Sequence, residues 1–494
     1  MQQLSGQDAM FLHAELDGLP QHIGGVSIYD QSTAPGDKVR FKQILAMLED
    51  RVHLSPIFRR KLAFVPMGLG RPYWVEDPDF DMEYHVRHIA LPKPGDWRQL
   101  CILAARIHSV PLRRDKPMWE MYVIEGLNNI EGYPPNCFAL LLKVHHCAMD
   151  GATGTQFMNI VHDLSPETKK VGKAPPWIVE RPSKARMLGQ AYFDAWRKPG
   201  EVIDVLKQAG PAFMRIRRGK KEQHFKSLED KQTTRFQGKI SHHRVVEARK
   251  FDFEEIRAIK NAVPGATIND AMLTIVAGGL RKYLDSKGEL PDKTLVTGCP
   301  IDVRSPEERA AGGNMVGFMN VALRSDIEDP VERLKAVHEE SQSAKAYAEA
   351  LGPRFVVDLT DVMPGNVLSL AIRTAAATGL SEAGVIQNTI VTNVPGPPYQ
   401  LYMCGAALVD AISLGPLLPN VGLFHIVYSA VQNKKGSINL SLTACRDMLP
   451  DPDFYADCLQ ASFEDLRAAT AKKKKPAAKK KPAAKKKRAR RKTA

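Results

Sequence analysis

The sequence predicts an α/β protein of two domains, each built on a mixed sheet, with a cationic tail behind them. Three observations predict this. Strand-like apolar runs interleave with apolar residues at helical spacing over residues 4–165, and do so again from about residue 243. The two regions are of comparable size and element mixture, although no repeat is visible in the letters themselves. The chain has 494 residues, 44% hydrophobic and 25% charged, which is enough for one large core or two smaller ones and excludes intrinsic disorder of the body.

Taken in order, Val26–Tyr29 and Phe138–Val144 read as strands, and Lys42–Arg51 and Trp97–His108 as amphipathic helices, which makes residues 1–165 a first domain. Residues 166–240 change character. Pro175, Pro176 and Pro182 punctuate a polar stretch, and Met187–Lys221 follows with scattered aromatics and a basic end, so a partly helical connector is expected there. A second domain over 241–470 contains helices over Phe253–Ala262 and Ile268–Leu284, the latter with Thr267 as N-cap. Its strands are Thr294–Gly298, Val316–Leu323, Thr389–Thr392, Gly422–Ala430 and Ser437–Thr443. Gly278-Gly279 lies inside the second helix and reads as a site of close packing, not as a phosphate loop.

The formal net charge of +14 is confined to one place. Residues 471–494 hold fourteen Lys and Arg and no acid, so the remaining 55 basic residues balance 55 acidic ones. A basic nucleic-acid-binding body is thereby excluded. Proline breaks in the tail, mutual repulsion and a lack of apolar residues predict disorder there. Seven cysteines without a CxxC pair read as reduced, mostly buried thiols. The first residues lack a basic and an apolar signal region, and no run of about 18 apolar residues occurs, so a cytoplasmic, non-spanning protein is expected.

The chemistry concentrates where the strand Phe138–Val144 runs into His145-His146-Cys147-Ala148-Met149-Asp150-Gly151 and on into the helix-like Ala152–Asp163. Strand alternation sends adjacent imidazoles in opposite directions, which disfavours two neighbouring ligands for one metal. A zinc helix wants histidines four apart, and the pairing at that spacing here is His146 with Asp150 on a segment leaving a strand. A histidine at a strand end suits general-base work because its pKa, about 6.5, lies near operating pH. On spacing alone the pair is open to three uses: base catalysis, a structural role or metal binding. Asp150 is placed to fix the turn, and Gly151 allows a tight backbone at the helix entry.

His145-His146-x-x-x-Asp150-Gly151 resembles the HHxxxDG motif of condensation domains and related CoA-dependent acyltransferases. Leu4-Ser5-Gly6-Gln7-Asp8-Ala9-Met10-Phe11-Leu12, Pro117-Met118-Trp119, Ile268-Asn269-Asp270 and Asn393-Val394-Pro395-Gly396-Pro397 narrow the resemblance to the bacterial wax ester synthase/acyl-CoA:diacylglycerol acyltransferase family. Met118 stands where that family has Leu, a volume-conserving change. The resemblance covers residues 4 to about 465.

It implies a chloramphenicol-acetyltransferase-like pair of domains with the active-site cleft between them, and transfer of a long-chain acyl group from acyl-CoA to a fatty alcohol or diacylglycerol. His146 is then the general base, Asp150 an architectural ion-pair partner and His145 the support of the loop. Arg59, Arg60 and Arg304 are the candidate partners of Asp150. Asn269 is open to two readings, an oxyanion contact or part of a helix N-terminus with Thr267 and Asp270. Trp119 reads as core, Asn393–Pro398 as a rigid turn and Cys147 as a filler. Acyl-CoA is a co-substrate, and no bound cofactor or metal is expected. A donor carried by a carrier protein, as in condensation domains, is the alternative. The insoluble product calls for peripheral contact with a membrane or lipid-body surface. The tail suits polyanions, anionic headgroups ahead of nucleic acid.

Overall fold

A computed structural model describes residues 2–149, 151–175, 183–193, 232–302, 316–351, 370, 374, 386–432 and 435–473. The first half runs α1 (Gly6–Ala14), β1 (His22–Asp30), α2 (Phe41–Arg51), β2 (Arg60–Ala63), β3 (Tyr73–Glu76), β4 (Val86–Ala90), α3 (Trp97–Ser109), β5 (Trp119–Leu127), β6 (Cys137–His145) and α4 (Gly151–Val161). The second runs β7 (Arg244–Asp252), α5 (Phe253–Lys260), α6 (Ile268–Ser286), β8 (Val296–Asp302), β9 (Val316–Ala322), α7 (Pro330–Leu351), β10 (Thr389–Pro395), β11 (Tyr402–Met403), β12 (Ala406–Leu414), β13 (Leu423–Gln432), β14 (Lys435–Cys445) and α8 (Pro452–Lys473).

Two six-stranded mixed sheets result. The first has the order β11-β12-β1-β6-β5-β4, antiparallel except for the β4–β5 pair. The second has the order β9-β8-β10-β13-β14-β7, with β10 parallel to both of its neighbours. β6 is buried at every position but Leu142, as its nearly unbroken apolar run requires of a strand covered on both faces. Its last residue, His145, therefore emerges from the centre of a sheet and not from an edge.

Helix ends follow local chemistry. Thr267 Oγ1 accepts the Asp270 N–H (3.1 Å) and Asp270 returns a carboxylate oxygen to the Thr267 N–H (2.9 Å), a capping box that starts α6. Asp96 and Gln99 do the same for α3. α6 is buried continuously from Asp270 to Leu280, because the second sheet and α8 enclose it. A Cβ at Gly279 would come within 2.5 Å of Leu459 Cδ2, so the glycine pair lets α8 lie directly on α6.

The structure differs from the sequence expectation in three places. β11 and β12 fall within the 241–470 segment, yet they complete the sheet of the first half: Leu414 pairs with Gly24 and Ala407 with Asp30. Strand partners are chosen non-locally, and nothing in an apolar run names its neighbour. β10 continues through Asn393, Val394 and Pro395, which stay in parallel register with Val427, Tyr428 and Ser429, so the turn expected from residue 393 begins later. α8 runs to Lys473, three residues into the segment expected to be disordered. Residues 184–193 of the connector are helical, with Met187 and Ala191 buried against Val65 and Tyr73. The rest of Met187–Lys221, Asp150, Arg304 and residues 474–494 lie outside the described residues.

Candidate active site

The site is built around the end of β6. The His145 N–H bonds to Met118 O and the His146 N–H to Gln21 O, both at 2.9 Å, so the two peptides are held from opposite neighbours, the β5 side and the β1 side. A tight turn follows, closed by the Ala148 N–H on His145 O (2.9 Å).

The two imidazoles have different surroundings. His145 is fully buried. Its Nδ1 accepts the Cys147 N–H (3.1 Å), which leaves Nε2 to donate to Glu15 Oε2 (2.8 Å) and fixes the tautomer. Arg114 approaches the other oxygen of Glu15 at 3.4 Å. Burial pushes the Glu15 carboxyl up, but the hydrogen bond from His145, the charge of Arg114 and the Gln21 N–H outweigh it and hold the carboxyl below its ordinary value. His146 is half-buried, and its ring lies face to face on Phe11 with centroids 3.9 Å apart and planes 7° from parallel. Cys147 is buried, with Sγ 3.8 Å from Met118 Sδ, and desolvation pushes its thiol well up, which is the setting of an inert thiol and not of a nucleophile.

Beneath the histidines lies a buried polar layer. Lys143 is wholly enclosed and reaches Glu120 Oε2 (3.1 Å), Ile107 O and Val110 O; burial lowers its pKa against the pull of Glu120. His22, paired with His145 across β1 and β6, and His108 meet edge to face at 4.5 Å. Burial drives His22 well below the ordinary range and His108 down to about 3, so both are neutral. His108 Nε2 then donates to Gly415 O (3.0 Å), tying the first sheet to the segment that leaves β12.

The remaining candidates are more scattered. Thr267 and Asp270 form the cap described above, and Asp270 also accepts from His338 Nδ1 (2.9 Å). Asn269, between them, is half-buried, and its side chain makes no hydrogen bond among the described residues. Arg59 and Arg60 both approach Glu76, at 3.7 and 3.5 Å. Trp119 is core: its indole donates to Phe58 O (2.9 Å) and its ring stacks on His85. Asn393 is exposed, whereas Gly396 is pressed against Ser429 and Tyr428. Among the described residues no three His, Cys, Asp or Glu side chains are grouped to hold a metal ion. Sequence reasoning did not single out Glu15, Gln21, His22, His108 and Arg114. Phe11 and Glu15 did carry a signal, a four-residue spacing that puts both on one side of α1.

Two mixed α/β sheets make this a fold that solved acyltransferase and condensation-domain structures share. The starter condensation domain of rhizomide synthetase, solved with C8-CoA, shares it at 13% identity and a TM-score of 0.55, with 95% of each chain covered. The wax ester synthase/diacylglycerol acyltransferase from Marinobacter aquaeolei is similar at 26% identity and a TM-score of 0.66, over 95% of this chain and all of that one. Among sequences, a putative diacylglycerol O-acyltransferase of Mycobacterium tuberculosis is 31% identical over 470 residues, 94% of this chain and 90% of the relative. The wax ester synthase/diacylglycerol acyltransferase catalytic domain matches residues 4–272, and the family's C-terminal domain matches 312–467. The chain belongs to this family and is an acyltransferase.

Proposed function

We propose that the protein transfers a long-chain acyl group from acyl-CoA to the hydroxyl of a fatty alcohol or diacylglycerol, with His146 as general base. The observation that carries the assignment of the base is the contrast within the pair. His145 commits both ring nitrogens to Cys147 and Glu15 inside the protein, whereas His146 is the member that reaches solvent. The acceptor oxygen attacks the thioester carbonyl while its proton passes to His146. The C–O bond forms, the tetrahedral oxyanion collapses with cleavage of C–S, and His146 returns the proton to the departing thiolate, giving ester and free CoA thiol. Asn269, at the start of α6, serves as an oxyanion contact, and Asp150 as an ion-pair partner that holds the turn after His146.

Contact with a lipid surface belongs to the same reading. Met67 (81% exposed), Phe64 and Leu69 project from the β2–β3 hairpin, whose inner residues pack on the helical residues 184–193; Tyr192 and Phe193 of that segment are exposed. A patch of this kind, with the exposed Lys184 and Arg186 on the same helical segment, suits an anionic membrane or lipid-body face, and the cationic tail adds attraction to polyanionic surfaces. Among the described residues no helix is long and apolar enough to cross a membrane. We place the protein peripherally, on the cytoplasmic side.

The test is thiol release and ester formation from one long-chain acyl-CoA, with hexadecanol and diacylglycerol in competition. His146→Ala should lower both by about 10²- to 10⁴-fold, the usual contribution of a general base, with the fold retained. Near-normal turnover by this variant refutes the role of His146. Turnover of a carrier-bound acyl donor with no consumption of free acyl-CoA shifts the assignment to the condensation type.

A further inference from the structure

α1 contributes to the site from 130 residues away, and it touches both histidines at once. Phe11 covers one face of the His146 ring (3.9 Å, 7°), and Glu15, one turn later at the C-cap, receives the hydrogen bond from His145 (2.8 Å). The helix is firmly held. Ser5 caps its start through the Asp8 N–H, Arg114 donates to Leu12 O near its end, and Leu4, Ala9 and Leu12 are buried with Met118 and Cys147, directly under the histidine turn. Gln21 links the two contacts, since its N–H points to Glu15 Oε2 (3.5 Å) and its carbonyl takes the His146 N–H.

We infer that Phe11 is a positioning residue for the catalytic base, with Glu15 acting alongside it through His145, so that α1 sets the orientation of the His146 imidazole. The inference rests on the proposed role of His146. The lone pair that accepts a proton lies in the plane of an imidazole ring, at its edge. A ring stacked on the face does not cover that edge and restrains rotation about Cβ–Cγ, so the lone pair keeps one direction. Orientation of this kind acts on the chemical step: a misplacement of about 1 Å is worth about 10²-fold in rate. Glu15 does its part on the backbone, because the tautomer it imposes on His145 makes Nδ1 the acceptor that holds the Cys147 N–H and hence the turn after His146.

The experiment compares Phe11→Leu, which keeps apolar volume and removes the stack, with Phe11→Tyr, which keeps the stack. Both are made in the full chain and assayed with acyl-CoA and hexadecanol. Phe11→Leu should lower kcat roughly 10- to 100-fold with KM for acyl-CoA unchanged, and Phe11→Tyr should restore most of kcat. The ring protons of His146, observed by NMR after selective histidine labelling and assigned with His146→Ala, should lose an upfield ring-current shift in Phe11→Leu and keep it in Phe11→Tyr. This second readout does not depend on turnover, so it remains decisive if the leucine variant is inactive for another reason. Wild-type kcat in Phe11→Leu, or a His146 ring signal that ignores the substitution, overturns the inference. If His146→Ala itself retains turnover, the role of His146 fails instead, and the shift alone then reports the stacking.

Discussion

Three of the histidines held neutral in the interior make acid stability a direct test of the packing. His425 is fully buried between the strands and α8; its Nδ1 bonds Thr389 Oγ1 (2.9 Å) and its Nε2 meets the Tyr455 hydroxyl (2.8 Å). His162 is buried against Tyr29, and His108 lies in the polar layer beneath the histidine turn. Burial drives His108 and His425 down to about 3 and His162 to about 4. Unfolded, each binds a proton near pH 6.5; folded, each refuses it until far lower pH. The stability they confer is therefore complete above pH 6.5 and is lost as the pH falls from there toward the folded values. Between pH 7.5 and 5.0 the loss is about 2 kcal/mol for each histidine, or about 6 kcal/mol for the three, against a typical total of about 5–15 kcal/mol. Carboxylates with depressed values, such as Glu15, lose their stabilising effect only below about pH 4.5, which is why the window stops at 5.0. Glu247, raised by burial, works in the opposite direction but is common to every variant. The perturbation is His425→Asn, whose amide can still donate to Thr389 but does not titrate. Urea unfolding followed by circular dichroism at both pH values should show the asparagine variant weaker at pH 7.5, with its pH-dependent loss smaller than the wild-type loss by about 2 kcal/mol. Equal pH dependence in the two proteins refutes the argument that His425 is folded in its neutral form.

Two further substitutions separate local preference from packing. Gly279→Ala gains about 1 kcal/mol of helix propensity, yet its methyl would lie 2.5 Å from Leu459 Cδ2 and 3.2 Å from Leu459 Cα, and overpacking of this kind costs about 1–3 kcal/mol; a lower urea midpoint is expected, and a higher one would mean that α8 yields freely. Thr267→Val removes the hydroxyl that accepts the Asp270 N–H and should cost about 1 kcal/mol in urea unfolding, with kcat unchanged if the residue only caps α6.

What was legible in the sequence is what local chemistry determines. α3 and α6 were found within two residues at each end because apolar spacing and end groups coincide: Thr267 was identifiable as the cap from its position before Ile268. β6 was legible as an apolar run, and the histidines at its end were therefore legible as a candidate site. The partners of those histidines were not. Glu15 is a single acid near the N-terminus, and nothing within 130 positions connects it to His145. β12 was missed for the same reason at the level of the sheet, since Ala406–Leu414 carries the composition of a strand but no mark of which sheet receives it. The buried Lys143 contradicts the ordinary expectation for lysine and is tolerated because Glu120 and two carbonyls surround it.

The crossing of β12 changes what the two halves mean. A division near residue 240 suggests two bodies with a cleft between them, but β12 lies hydrogen-bonded along β1 and is also tied to the second sheet. The Ser413 N–H donates to Ser441 Oγ and the Gly415 N–H to Thr443 Oγ1, both at 3.2 Å, and Asn439 donates to Asp410 and to Ala411 O. One apolar cluster accordingly contains Val26, Ile28 and Leu100 from the first half together with Val246, Val409 and Ile412 from the second. Without β12 the long β1 would be an open edge, and His108 would lose Gly415 as its acceptor. The sheet that carries His145 and His146 is thus completed by residues almost 270 positions further along the chain. The histidine turn belongs in sequence to the first half, and its rigidity is a property of both.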